Sequence, residues 1–516
     1  MLSPYALSFL VKEPKLPQKH LNFIHGRWSE PKTDAWIERE DPATGEVVAT
    51  FPDSGSQDVA DAVDAAAAAY ESWRFTPAPR RAEILFRAAE IMAARKEELS
   101  RDVTVEMGKV LKEARGDVQE GIDMTYYVAG EGRRMWGQTT PSELPNKFNM
   151  TVRQPHGIVA AITPWNFPVA IPCWKLMPAL IAGNTVVLKP SPYSPLSASN
   201  LVRILEEAGL PPGVVNLVFG GDQTGAALVE EPSVNMVSFT GSLEVGREIA
   251  AYCGRYNKRL HLEMGGKNAI IVLDDADLDL AIEGAVWSAF GTSGQRCTAA
   301  SRMIVQEGVA PSFTDGLVGR ARGLRLGNGL EEATDVGPVV NQPALEKVQR
   351  YMDIGRDEGA AIACGGSRAT GDGLDRGYFF QPTVFADVRP QMRVAQEEIF
   401  GPVTDIITCT DVEQAIDINN GVKYGLSSAI FTRDISKAFK AMERMSTGIV
   451  YINAGTIGAE VHLPFGGTRG TGNGHREAGQ AALDSYSEWK TVYIDYSGRL
   501  QKAQIDRQDD SGTSVR

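Results

Sequence analysis

The chain opens with alternation of apolar and polar residues over Leu21 to Glu30, LNFIHGRWSE, which predicts a half-buried strand. A turn and a second strand follow in DPATGEVVATF. The period then lengthens. QDVADAVDAAAAAYESW, Gln57 to Trp73, has helical apolar spacing, with Ser56 or Asp58 placed to cap it. Two more helical patterns cover Arg81 to Ser100 and Arg101 through Gly137.

From Asn149 the pattern is that of strands alternating with helices. NMTVRQPHGIVAAITPWN reads as strand, turn and buried strand; a helix from Val169 to Ile181 leads to the buried strand NTVVLKPS. The next helix runs from Pro195 to Glu207 with Ser194 as its expected N-cap. Strands at Val214 to Phe219 and VNMVSFTGS complete this half. The pattern restarts after Glu263 with strand NAIIVL, a helix from Leu278 to Phe290 and strand RMIVQ, and runs to about Gly467. Such alternation predicts an α/β fold built on two doubly wound parallel sheets. KTVYIDY, Lys490 to Tyr496, stands apart as a further strand, and a polar tail ends the chain.

Composition narrows the function. The 516 residues are 43% hydrophobic and carry a net charge of −13, which suits a soluble enzyme with a large core and argues against nucleic acid or anionic membrane as partners. The five cysteines form no CxxC pair, so a reducing, cytoplasmic setting is expected. The apolar run near the N-terminus has its positive charges after it and no small-residue cleavage site, so it is not read as a signal peptide. No metal-ligand set is singled out.

In parallel sheets ligands bind beyond the carboxyl ends of the strands, where PWNFP, KPSPYSP and FTGSLEVG fall. GTSGQRCTAAS surrounds Cys297 with small residues and sets Arg296 before it, the way a thiol activated by positive charge is presented. FTGSLEVG ends a strand and opens a helix, so its glycines allow backbone N–H groups to approach a phosphate, although no GxGxxG is present. Each motif alone also has a structural reading: a buried thiol, a glycine turn, a snorkelling Lys189, a solvated Glu263, a turn at Asn166.

Taken together, PWNFP, KPSPYSP, FTGSLEVG, LEMGGK, GQRC, EEIFGPV and PFGG resemble the aldehyde dehydrogenase superfamily in order and spacing, over roughly Leu21 to Tyr496. The resemblance implies that Cys297 is the nucleophile toward an aldehyde, that Asn166 and the Cys297 N–H hold the oxyanion, that Glu263 activates the hydrolytic water, and that Lys175 supports proton transfer. It assigns the cofactor, NAD or NADP, to Trp165, Lys189, Ser191, Gly241, Ser242, Gly246, Glu398 and Phe400. Pro192 stands where many NAD-specific members carry a glutamate against the ribose, so NADP is not excluded. Phe167, Trp174, Phe290, Thr298 and Phe465 match substrate-tunnel positions, and Gly458 with Ala459 resembles the loop by which amino-acid semialdehyde branches grip a carboxylate. The implied domains are a cofactor-binding unit over 1–132 and 156–264, a catalytic unit over 265–467, a bridging element over 133–155 and 484–498, and a tail over 499–516. A homodimer or homotetramer acting on a small aldehyde is expected. A cysteine-dependent ester or thioester hydrolase is the alternative of another class, and Glu263 argues against acyl transfer to coenzyme A.

Overall fold

The computed structural model describes residues 17–505. The apolar run before residue 17 and the tail beyond residue 505 lie outside the described residues. Two seven-stranded sheets organise the chain. In the first, five parallel strands lie in the order Arg259–Met264, Met236–Gly241, Ile158–Thr163, Thr185–Pro190, Val215–Leu217. The order reverses between Ile158–Thr163 and Met236–Gly241, which opens a crevice at their carboxyl ends. Trp165, Asn166 and the Gly241–Ser242 turn sit just there. An antiparallel hairpin, Asn22–Ile24 and Arg27–Ser29, finishes the sheet. The alternating segment read as one strand is therefore two, because His25 and Gly26 take left-handed φ values of 51° and 74° and fold it back.

The second sheet runs Ala361–Cys364, Thr383–Ala386, Val403–Cys409, Ala300–Gln306, Asn268–Val272, Ser427–Phe431, Ile449–Ile452, parallel except for its first strand. Its strands are continuous apolar runs because helices such as Leu278–Phe290 cover them. Gly265, Gly266 and Lys267 carry the chain directly from the end of the first sheet into the second. Glu263, at a carboxyl end of the first, thus faces Cys297, which precedes Ala300 at the amino edge of the second.

Several boundaries differ from the sequence expectation. The helical run after residue 81 breaks into Ala78–Ala94, Lys96–Met107 and Leu111–Glu131, with Gly108 left-handed at φ 87°. Of the two residues expected to cap the helix Ser56–Phe75, Asp58 does so from within its first turn, its Oδ2 accepting from Gly55 N–H at 3.1 Å, while Ser56 is the first helical residue. Ser194 precedes Pro195–Glu207 as expected, but its side chain makes no capping bond. Glu106, from another helix, accepts from Leu196 N–H at 2.8 Å and Ser197 N–H at 3.2 Å instead.

The C-terminal strand Ser487–Asp495 pairs antiparallel with Lys147–Pro155, from Ser487 opposite Pro155 to Asp495 opposite Lys147, and Gln138–Pro141 makes the third strand. Among the described residues no helix is long and apolar enough to cross a membrane.

Candidate active site

Cys297 is partly exposed and contributes to the walls of two cavities. A strained approach presents it. Thr292, Ser293 and Gly294 all take left-handed backbone, with φ of 52°, 55° and 68°, and a Cβ on Gly294 would lie on the Gly401 carbonyl. Gln295 fixes that turn by accepting from Val340 N–H at 2.9 Å. Asn268 Nδ2 donates to the Cys297 carbonyl at 2.7 Å and to Ala299 O at 2.9 Å, pinning the Cys297 backbone to the edge of the second sheet.

The expected activation by Arg296 is not what the structure holds. Its guanidinium is committed to Glu113 Oε1 at 3.1 Å and Thr292 Oγ1 at 2.9 Å, and it packs over the Phe167 ring. Burial first, and then the carboxylates of Glu263 and Glu398, push the Cys297 thiol up to about 12, against a backbone hydrogen bond from Thr298.

One cavity, about 220 Å³, lies between the two sheets and is lined by Trp165, Asn166, Gly241, Ser242, Glu398 and Phe400 as well as Cys297. Asn166 is 3% exposed, and its Nδ2 donates to Gln295 O at 3.0 Å, which leaves the second amide hydrogen for another acceptor. Trp165 and Phe400 meet edge to face with centroids 5.6 Å apart, and Phe400 is held at φ 61°. Glu398 accepts from Gly266 N–H at 2.9 Å.

A groove of about 620 Å³ continues past Lys189, Ser191, Pro192 and Gly241. Lys189 is buried, and that burial brings it down to about 8 against the charges of Asp222 and Asp53. The helix Leu243–Tyr256 points its N-terminus at the groove, with Ser242 Oγ accepting from Val245 N–H at 3.3 Å. Gly241 and Gly246 lie close under neighbouring side chains: a Cβ would meet the Phe239 ring at 2.4 Å and Met264 Sδ at 2.3 Å, so those side chains would have to shift. These groups fit a dinucleotide: a helix N-terminus and an ammonium to donate to phosphates, a carboxylate to accept from ribose hydroxyls and aromatic edges for a planar ring.

The second cavity, about 110 Å³, holds Phe167, Trp174, Thr298, Gly458, Ala459 and Phe465 around Cys297 and Glu263. Trp174 and Phe465 pack with centroids 4.8 Å apart. Phe290 is not brought here; it is 2% exposed within the core of the second sheet. Glu263 is 3% exposed with neither oxygen hydrogen-bonded, and burial followed by the charge of Glu477 raises it well above the usual carboxylate range. Lys175, wholly buried, donates to Glu477 Oε1 at 2.5 Å and Ser238 Oγ at 3.1 Å rather than reaching the cavity.

Sequence reasoning missed Glu477, Glu120 and the Arg296 side chain as cavity walls. Glu120 and Glu477 lie in segments without a motif, and only the fold brings them to Cys297.

The comparisons agree with this geometry. The profile described as "Aldehyde dehydrogenase family" matches residues 28–492. The alpha-ketoglutaric semialdehyde dehydrogenase of Bacillus subtilis is 41% identical over 477 residues, covering 92% of this chain and 98% of that protein. The glutarate-semialdehyde dehydrogenase of Pseudomonas putida is 39% identical over 473 residues, covering 92% and 97%. The betaine aldehyde dehydrogenase of Staphylococcus aureus, solved in complex with NAD+, superposes with a TM-score of 0.91 at 34% identity, over 93% of this chain and 95% of that one. A thiol, an unpartnered carboxylate and a dinucleotide-shaped groove in one crevice thus coincide with full-length similarity, and the chain belongs to the aldehyde dehydrogenase family.

Proposed function

We propose that the chain oxidises a semialdehyde bearing a carboxylate at its far end to the corresponding acid, with NAD or NADP as the cofactor. The observation that carries the reading is Cys297 in a wall shared by the cofactor-side and substrate-side cavities. Its thiol gives up its proton to water in the cavity and the sulfur adds to the aldehyde carbon, while the free Asn166 amide hydrogen and the Cys297 N–H stabilise the oxyanion. A nicotinamide held by Trp165, Glu398 and Phe400 would supply the hydride acceptor, and loss of the hydride from the former aldehyde carbon leaves a thioester on Cys297. Glu263 then takes a proton from the water that releases the acid. The groove at Lys189 favours this dehydrogenase reading over a simple thiol hydrolase. Pro192 lines that groove without a carboxylate, so nothing at this position repels a 2′-phosphate. We assign the first sheet to the cofactor-binding unit and the second to the catalytic unit. Five free cysteines support a cytoplasmic location, and the open sheet edges support a homodimer or homotetramer.

The Gly458–Ala459 backbone in the substrate cavity supports a carboxylate-bearing substrate, as do the semialdehyde dehydrogenases among the relatives. Glu120 favours a second form of that substrate. Its carboxyl lines the same cavity, and an ammonium beside the carboxylate, as in an amino-acid semialdehyde, would draw it into the ionised form that burial and Asp117 otherwise oppose by raising it to about 8.

The test is a panel of kcat/KM values for glutarate semialdehyde, its 2-oxo and 2-amino counterparts, and pentanal. The carboxylate-bearing aldehydes should exceed pentanal by tenfold or more, about 1.4 kcal/mol. Glu120→Gln should lower the value for the 2-amino substrate alone, and Cys297→Ala should bind cofactor yet produce no reduced nucleotide. Equal values for pentanal would end the carboxylate reading; aldehyde-dependent reduction by the alanine variant would end the assignment of Cys297.

A further inference from the structure

The imidazole of His261 is 0% exposed, and neither of its nitrogens has a hydrogen-bond partner. A histidine kept only for packing normally satisfies its ring nitrogens, since an unpaired buried polar atom costs about 1–3 kcal/mol. The position of this ring gives it another use. His261 and Glu263 are two residues apart on strand Arg259–Met264, so both project from one face. Nε2 lies 3.5 Å from Glu263 Oε1, and Nδ1 lies 3.9 Å from Glu477 Oε1. Glu477 is held in turn by Lys175, which also donates to Ser238, whose Oγ is 2.8 Å from the Tyr486 hydroxyl. Glu263, His261, Glu477 and Lys175 therefore form a continuous line of titratable groups inside the protein.

We infer that His261 is a positioning residue that relays protons between Glu263 and the Glu477–Lys175 pair during release of the acid. The inference rests on Glu263 being the base. A base in this pocket needs such a route, because a carboxyl raised so far by burial and by Glu477 holds its proton in the resting protein and must lose it before it can accept one from water. His261 suits the task because it stays neutral. Burial, Lys175, His475 and Arg476 hold it well below the usual imidazole range, leaving one N–H and one lone pair.

In deacylation the water's oxygen bonds to the thioester carbon, the carbon–sulfur bond breaks with its electron pair on Cys297 Sγ, and the water's proton goes to Glu263. Glu263 is ready for it because its resting proton has already passed to Nε2 while the proton on Nδ1 passed to Glu477; the ring gains none overall, is left as the Nε2–H tautomer and returns to Nδ1–H before the next turnover. Both gaps exceed hydrogen-bond length, so each transfer needs a small swing of the carboxylate or one bridging water. The charged or titratable groups facing the ring are Glu263 on its own strand, Glu477, His475 and Arg476 on the segment before the last helix, Lys175 on helix Ala170–Ala182 and Tyr486 on helix Ala481–Tyr486. His475, exposed and with its centroid 5.9 Å from His261, lies on the solvent side of the line.

The experiment measures hydride transfer as the pre-steady-state burst of reduced cofactor, and deacylation as decay of the acyl adduct by intact mass, in the unmodified protein, His261→Gln, His261→Asn and Glu263→Gln. The relay predicts an unchanged burst in both His261 variants, with deacylation slowed on the order of a hundredfold and its pH dependence altered. Glutamine can occupy the Nε2 position and hydrogen-bond but cannot pass a proton through, so deacylation at the unmodified rate in His261→Gln would overturn the relay. Should Glu263→Gln release the acid at the unmodified rate, the base assignment fails and the relay with it; should Glu263→Gln stall while both His261 variants do not, only the relay falls.

Discussion

A cysteine pushed up to about 12 is a thiol, not a thiolate, in the free protein at neutral pH. The local sequence points the other way, since Arg296 is adjacent, but adjacency says nothing about where a guanidinium goes, and this one is spent on Glu113 and Thr292. Alkylation of Cys297 by iodoacetamide should therefore rise about tenfold per pH unit between roughly pH 6.5 and 9 without a plateau, because the thiolate fraction does. Intact-mass kinetics would measure it; a plateau below pH 8 would mean that the thiolate is already stabilised in the free protein. The motif residues were legible because each sits at a strand end or tight turn whose glycines and prolines mark it in the sequence. Glu477, Glu120 and His261 were not, since their proximity to Cys297 and Glu263 depends on pairing and packing between distant segments.

The same limit governs the elements. Strand and helix types followed from the hydrophobic period, and the helix Leu278–Phe290 has its expected bounds. Breaks inside helical runs escaped, because apolar spacing continues across Arg95 and Gly108 while the chain changes direction. The cap of Pro195–Glu207 escaped for a deeper reason: Ser194 is in place, but the N–H groups are satisfied across space by the buried Glu106. Glu106→Ala should cost about 3 kcal/mol in urea denaturation, since it leaves helix N-terminal donors buried and unpaired. Burial pushes Glu106 up to about 8 from 4.5. The folded protein therefore holds this proton more tightly than the unfolded chain, and the group's contribution is full below about 4.5 and lost as pH rises through 8. The stability advantage of the unmodified protein over Glu106→Gln should shrink across that window; an advantage that grows with pH would mean that the carboxylate is the favoured buried form.

At the scale of the molecule, two of the sheet edges bear on assembly. The second seven-stranded sheet stops at Ile449–Ile452, and the three-stranded sheet stops at Ser487–Asp495, each paired on one side only. Such edges present unpaired N–H and C=O groups, and a long one is ordinarily blunted or covered. Here the three-stranded sheet is apolar as well: Phe148, Val152 and Ile494 are exposed on one face, Trp489 and Tyr493 on the other, and the sheet has no core of its own. Pairing of Ser487–Asp495 with the Ile449–Ile452 edge of a second copy would satisfy both edges at once and repeat by two-fold symmetry. Light scattering at micromolar concentration should then give at least twice the 55.8 kDa chain mass. Phe148→Glu combined with Ile494→Glu places two charges on the apolar face beside the pairing edge and should return the chain mass while leaving the far-ultraviolet circular dichroism unchanged, since neither side chain lies in a buried core. A fully active monomer of the unmodified protein would refute the pairing, because the exposed apolar sheet would then be stable in water without a partner.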